Sequence, residues 1–289
     1  MSLHRFITFS KTNRRMLLLL ITSHLLWSCA VFGLGWSGRY LGAAHLWLTA
    51  LFIALQLFAA AQLLLPALLL HPEERSRGFY LFWGFSLGVS IWLLNQVPAA
   101  GLGLLLLMAL KSGLLLLVAT VCGAALARYI HRLWEIIPIC LVMTLADFYS
   151  WLYGPTAGFT AQIQKFYLSG EGPPPLVDMI LIKLAAPGGA ALMPVFGLSD
   201  WIMVVFFAIV ARRHGVNDNI LGASGESLAG QGKIGRYLPV SVVALTIGIL
   251  LAQATGLFLP ALPLIALIML LWYAGRYLWL RRPATEKEG

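Results

Sequence analysis

Long apolar stretches alternate along the chain with short polar ones. Eight apolar stretches can be drawn, at 16–36, 45–70, 79–97, 100–128, 132–153, 190–212, 237–257 and 260–280. Each has about the 20 residues that a helix needs to cross a hydrocarbon core of ~30 Å. The pattern predicts an all-α polytopic membrane protein. It is a bundle of eight transmembrane helices, or nine if one further span precedes Asp147. The fourth stretch carries Lys111 and Gly113 near its middle and reads either as one tilted helix or as a broken one. Two polar stretches interrupt the series. One, at 154–189, holds Gly170, Gly172 and the run Pro173-Pro174-Pro175; the other, at 213–236, is rich in Gly, Ser and Asn and reads as a flexible loop. The organisation expected is an N-terminal four-span bundle over 1–131, followed over 132–289 by the helices that carry the polar groups.

Composition supports lipid as the solvent. Of 289 residues, 60% are hydrophobic and 11% charged, with a mean hydropathy of +0.85. A soluble domain cannot hide so much apolar side chain. The net charge of +9 does not indicate a nucleic-acid partner, because the Lys and Arg sit at span ends, as membrane topology requires. Cys29, Cys122 and Cys140 all lie in apolar stretches, without metal or disulfide spacing, and read as packing residues. Leu26-Trp27-Ser28-Cys29 loosely matches a lipoprotein cleavage box. Trp27 is bulky where such a box wants a small residue, so an uncleaved first span is expected.

With the N-terminus cytoplasmic, inside segments hold 16 basic residues against 3 outside (Arg39, Lys165 and Lys183). That bias predicts both termini inside and the 154–189 loop outside, in a plasma (inner) membrane.

Ionisable groups deep in a span are costly, by roughly 2.5–3.5 kcal/mol on insertion scales. Three acidic residues fall within spans: Glu135, Asp147 and Asp200. Glu135 stands beside Arg132 at the end of its span and reads as an interfacial charge. Asp147 is expected about 9 Å from the outer end of its span, and Asp200 about 15 Å into the next, at 1.5 Å per residue. The two spans are antiparallel neighbours, so both carboxylates are expected at comparable depth. Paired carboxylates do not both ionise easily. One can then activate water while the protonated partner polarises a peptide carbonyl. On the pair alone, proteolysis, a transporter's proton relay and a hydrogen-bonded pair holding two helices together stand equal.

Neighbouring motifs extend this reading. Phe196-Gly197-Leu198-Ser199-Asp200 surrounds the second aspartate, and Leu259-Pro260-Ala261-Leu262-Pro263 opens the last span. With Asp147 they resemble the presenilin and signal peptide peptidase family of intramembrane aspartyl proteases. That family carries an aspartate in one span, Gly-x-Gly-Asp in the next and Pro-Ala-Leu at the start of the last. The three elements appear in that order, at intervals of 53 and 60 residues. Ile182-Lys183-Leu184-Ala185-Ala186-Pro187 also resembles the segment leading into the second aspartate span of signal peptide peptidases. Two positions depart from the family pattern: Ala146 stands where the family usually has Tyr, and Ser199 where it has its second Gly. A second Pro-Ala-Leu, at Leu65-Pro66-Ala67-Leu68, reads as a Pro kink or a helix end.

The resemblance implies an aspartic endopeptidase with Asp147 and Asp200 catalytic and neither metal nor cofactor. Gly197, Leu198, Ser199, Lys183, Leu184, Pro260, Ala261 and Leu262 would support the site or bind substrate. Substrates would be transmembrane peptides or signal-peptide remnants, held in extended form by strand addition to Val177–Leu184; a short interfacial helix is the alternative for that segment. Gly197 is expected to permit close backbone approach beside Asp200. Pro260 and Pro263 should leave irregular backbone that lines a cavity. A proton-coupled transporter using the same aspartates, or a non-catalytic relative that binds membrane helices, is the alternative function. Gly222-Ala223-Ser224-Gly225 resembles a rhomboid nucleophile motif but falls in a polar loop. No His-Glu-x-x-His is present. His24 reads as a packed polar residue.

Overall fold

The computed structural model describes residues 3–42, 45–70, 75–154, 158, 162–163, 166, 175–189, 191–256 and 260–280. Gly170, Gly172, Pro173, Pro174, Lys165, Leu259 and the basic residues after 280 lie outside them. The chain is mostly helical. The helices are α1 (Leu3–Gly38), α2 (Leu46–Gln62), α3 (Leu64–Leu69), α4 (Arg77–Gln96), α5 (Gly101–Ala127), α6 (Ile136–Leu152), α7 (Leu198–Arg213), α8 (Gly225–Gly230), α9 (Val240–Thr255) and α10 (Ala261–Leu280). Five helical segments are long and apolar enough to cross a membrane: Arg15–Gly38, Leu46–Leu69, Arg77–Gln96, Gly101–Ala127 and Leu133–Leu152. Val240–Thr255 and Ala261–Arg276 are shorter and also apolar.

Most predicted boundaries fall within a few residues of these helices. Cys29 lies inside the continuous helix α1. The long fourth stretch is one unbroken helix, α5. Pro66 does break a helix: α2 stops at Gln62 and α3 restarts at Leu64. Proline at 66 has no N–H for the Gln62 carbonyl, and its ring crowds the preceding turn.

The sixth stretch is corrected. Helix was expected from 190, but Met193–Gly197 is a strand, β2, and α7 begins only at Leu198. Apolarity alone cannot separate a short strand from a helix. Pro194 disfavours helix here, and Val195 and Phe196 suit a pleated surface. β2 pairs antiparallel with β1 (Leu181–Leu184). Ile182 faces Phe196 and Lys183 faces Pro194, so Val195 is an extra residue, a bulge.

Helix α7 is the axis of the bundle. Trp201 and every residue from Met203 to Ala211 are buried. It packs against α3, α5, α9 and α10. Small residues set its approach to α5: a Cβ on Gly123 would lie 2.5 Å from the Ile202 carbonyl oxygen and 2.8 Å from Val205 Cβ. Close helix contact through small residues is the usual solution where lipid gives no hydrophobic drive. At the far end of α5, Arg213 Nη1 donates to the carbonyls of Ala127 (3.2 Å) and Arg128 (3.0 Å). Those carbonyls have no partner within their helix, and a cation there also suits the helix dipole.

The hairpin β1–β2 is held by side chains from the first half of the chain. Gln56 Oε1 accepts from Ala185 N–H at 2.8 Å, while its Nε2 donates to the Ala185 carbonyl at 2.9 Å. Ser112 Oγ accepts from Lys183 N–H at 3.0 Å. One apolar core runs through both halves, from Trp27 and Ile53 to Phe207 and Ile265.

The 213–236 stretch was expected to be flexible, but it is knit around one residue. Asn219 Nδ2 donates to the carbonyls of Ala223 (2.6 Å) and Arg236 (2.9 Å). Its Oδ1 accepts from the N–H groups of Leu221 (3.1 Å) and Leu238 (2.9 Å). Four bonds from one amide replace the regular ladder that Gly and Ser disfavour. Ser224, the rhomboid-like serine, caps α8 by accepting from Ser227 N–H.

Candidate active site

Asp147 lies in the last two turns of α6, and Asp200 is the third residue of α7. Asp200 is therefore at the helix start, not 15 Å along a span, because the residues before Leu198 are extended. It has a local role that the sequence did not suggest. Asp200 Oδ2 accepts the Gly197 backbone N–H at 2.9 Å, which is one half of a capping box at the N-terminus of α7; glycine has no side chain to return the other bond. A carboxylate in that place satisfies an orphan donor and suits the positive end of the helix dipole.

Asp147 and Asp200 nonetheless line one cavity of about 310 Å³. Pro194, Val195, Phe196, Gly197 and Ser199 contribute from the strand-to-helix turn. Gly248, Ile249 and Ala252 come from α9, and Pro260 and Ala261 from the start of α10. Its surface is mostly apolar, with the carboxylates among its few polar groups. Asp147 Oδ2 is buried without a hydrogen-bond partner among the described residues. The Leu262 backbone N–H, in the first turn of α10, lies near the Asp147 carboxylate. Pro260 and Ala261 of the Pro-Ala-Leu segment thus share the cavity with both aspartates.

Other expected site residues stand elsewhere. Lys183 and Leu184 are on β1 and do not line the cavity. Lys183 is mostly buried and ion-paired with Asp178, and Leu184 is 1% exposed within the core. Leu198 lies between the cavity residues Gly197 and Ser199 but is not itself in the wall. Val177–Leu184 is divided between a 3₁₀ turn over Leu176–Ile180 and strand β1. The outward Lys183 N–H of β1 is taken by Ser112, so that edge is covered. β2 has no second strand partner among the described residues, and it lines the aspartate cavity together with Val177, Ile180 and Leu181. The glycine requirement at 197 is also mild: a Cβ there would meet Ser199 Oγ at 3.4 Å and Asp200 Oδ2 at 3.5 Å, ordinary contact distances. Ala146 is exposed and does not line the cavity.

The described residues contain no cluster of His, Cys, Asp and Glu suited to a metal ion. What the arrangement offers is a pair of carboxylates in an apolar recess, beside extended backbone and the starts of two helices. A scan against protein-family models and searches of curated proteins and of solved structures returned no match.

Proposed function

We propose that this chain is an intramembrane aspartyl endopeptidase of the presenilin and signal peptide peptidase kind. One observation carries the reading: Asp147 and Asp200, far apart in sequence, share a single cavity with the Pro260-Ala261 segment. In the proposed reaction one carboxylate takes a proton from water as its oxygen attacks the scissile carbonyl carbon. The partner carboxyl protonates the carbonyl oxygen. Collapse of the tetrahedral intermediate transfers a proton to the amide nitrogen and breaks the C–N bond. The apolar lining limits competing water.

A helical substrate hides its peptide bonds, so it must be unwound before cleavage. The edge of β2 that has no strand partner among the described residues supports strand addition as the way to hold it extended. The Val195 bulge interrupts that edge beside the aspartates, as bulges often do near active sites. The substrate is a transmembrane peptide or signal-peptide remnant presented from the lipid. With both termini cytoplasmic in a plasma membrane, as the charge bias favours, substrates have cytoplasmic N-termini.

The test is cleavage of a model transmembrane peptide by the purified protein in detergent. Wild type should cut it, and Asp147→Asn and Asp200→Asn should not. Cleavage that survives in both variants, or its absence in wild type, overturns the proposal. Proton-coupled flux in proteoliposomes that needs both aspartates would favour a carrier instead.

A further inference from the structure

A groove of about 400 Å³ lies away from the aspartates, between α1, the break from α2 into α3, and residues 228–234. Its wall is mostly apolar, with Leu19, Leu26 and Trp27 from α1 and Leu63 and Pro66 from the break. The polar side chains in it are already engaged. Gln62 donates to the carbonyls of Phe58 (3.0 Å) and Tyr237 (2.7 Å) and accepts from the Gly235 N–H (3.0 Å). The Ser23 hydroxyl donates to the Leu20 carbonyl at 2.8 Å. The wall therefore suits an apolar occupant. Leu19 and Leu26 are 47% and 70% exposed, so the groove opens sideways, on helices long and apolar enough to span a bilayer. From Leu19 to Ala30 it follows about 16 Å of α1 at 1.5 Å per residue. That is about half of a ~30 Å hydrocarbon core, the depth of one leaflet.

One end of the groove is basic. Arg15 begins the membrane-spanning part of α1, one turn before Leu19. Lys233 stands between the wall residues Gly232 and Ile234, and its N–H donates to the carbonyl of Leu228, also in the wall, at 2.9 Å. Arg236 follows Gly235, which is bonded to Gln62. All three basic residues are exposed. In sequence, the stretches that adjoin this end, 11–15, 71–77 and 231–236, hold seven Lys and Arg against Glu73 and Glu74. A positive field thus stands at the level of lipid headgroups. In the orientation that the charge bias favours, this end is cytoplasmic, where transmembrane helices carry their own Lys and Arg. A helix in the groove would meet like charge at the rim, whereas an anionic headgroup meets opposite charge.

We propose that this groove binds an anionic phospholipid from the leaflet on that side. One acyl chain lies along the apolar wall, and the phosphate rests against Arg15, Lys233 and Arg236. The chain fills what the engaged polar groups leave apolar, and the headgroup stays at the water boundary, where its charge is not costly.

Photolabelling tests it, with the full chain in phosphatidylcholine nanodiscs. The probes are a trace of phosphatidylglycerol or of phosphatidylcholine, each with the same diazirine-bearing acyl chain. The second carries the same phosphate with a neutralising ammonium. One Lys or Arg near an anionic headgroup is worth about fivefold in affinity. Peptides holding residues 19–30 and 59–69 should therefore be labelled at least fivefold more by phosphatidylglycerol. Peptides with Phe85 and Trp92, exposed on α4, should show no such preference. Lys233→Gln combined with Arg236→Gln, both at exposed positions, should lower the preference at least fivefold. Ala30→Trp, which fills the groove from an exposed position, should bring labelling of 19–30 by both probes down to the α4 level. Equal labelling by the two probes leaves a plain apolar slot and overturns the proposal. So does an equal preference on α4, which is general attraction to a basic protein, or unchanged labelling in either variant. Displacement of the probe by excess glycerol phosphate would reassign the rim to free phosphate, and displacement by excess transmembrane peptide would reassign the groove to a helix; either overturns it. The aspartates play no part in this readout, so the outcome is independent of proteolysis.

Discussion

The carboxylate of Asp200 holds the backbone N–H of Gly197 at 2.9 Å, at the point where strand β2 becomes helix α7. One side chain thus caps the central helix and faces the cavity shared with Asp147. Substitutions at 200 should separate these roles. Asp200→Asn keeps an acceptor oxygen and removes the acid. It should alter stability by less than about 1 kcal/mol while lowering peptide cleavage by at least ~10²-fold. Asp200→Ala leaves the N–H unpaired and should also lower stability by about 1–3 kcal/mol. Chemical unfolding beside a cleavage assay would distinguish them.

Gln56 should be a stability residue with a functional consequence. Its amide serves both backbone groups of Ala185, directly after β1. Gln56→Leu conserves size roughly but leaves a buried donor and a buried acceptor unpaired. Destabilisation of about 2–5 kcal/mol is expected, from ~1–3 for each group. Amide exchange around Ala185 should rise beyond that in the rest of the bundle.

Gly123 should tolerate nothing larger than hydrogen. A Cβ there meets the backbone of α7 at 2.5 Å, and backbone cannot swing aside as a flexible side chain can. Gly123→Ala should lower stability by about 1–3 kcal/mol. Gly84→Ala is the control: nothing lies within 4 Å of a Cβ at that exposed site in α4. It should leave stability unchanged or raise it by up to ~1 kcal/mol. Unfolding midpoints of the two variants check this.

Asp218 should make stability depend on pH. Burial lifts its carboxyl to about 7, against a smaller opposing effect of the hydrogen bond from the Tyr237 hydroxyl at 2.9 Å. Arg212 and Glu226 line the same small recess. The folded chain binds this proton more tightly than the unfolded chain does. The associated stability is thus complete below pH ~4 and lost as pH rises to about 7. The change should be on the order of a few kcal/mol. Asp218→Asn should remove that slope; an identical slope in the variant would assign the pH dependence to other groups.

Much of the helical architecture was legible because apolar length and breaker residues act locally. The Pro66 break needed only the rule that proline cannot donate. Val195 and Phe196 show the limit, since the same apolar run suits a strand or a helix, and the choice rests on pairing with β1. Lys183 and Leu184 lie off the cavity wall while Leu181 of the same strand lines it, and motif order does not tell which residues of a hairpin face a cavity. Gln56 and Ser112 carried no signal at all. Their partners lie 129 and 71 residues away, and neither residue belongs to a motif. Asp147 and Asp200 stood out because a charge in an apolar run is costly wherever the chain later carries it. The capping of α7 by Asp200 could have been read from its place three residues after Gly197, had the helix start been known.

The bonds from Gln56 and Ser112 to the hairpin also order events in time. Synthesis delivers α1 to α5 before residues 181–197 exist. Until then, the Gln56 amide, the Ser112 hydroxyl and the bare face of Gly123 wait in the membrane without their final partners. The nascent first half is therefore an open template, and arrival of the hairpin and α7 closes it. A chain stalled before residue 181 should be the species that quality-control proteases recognise.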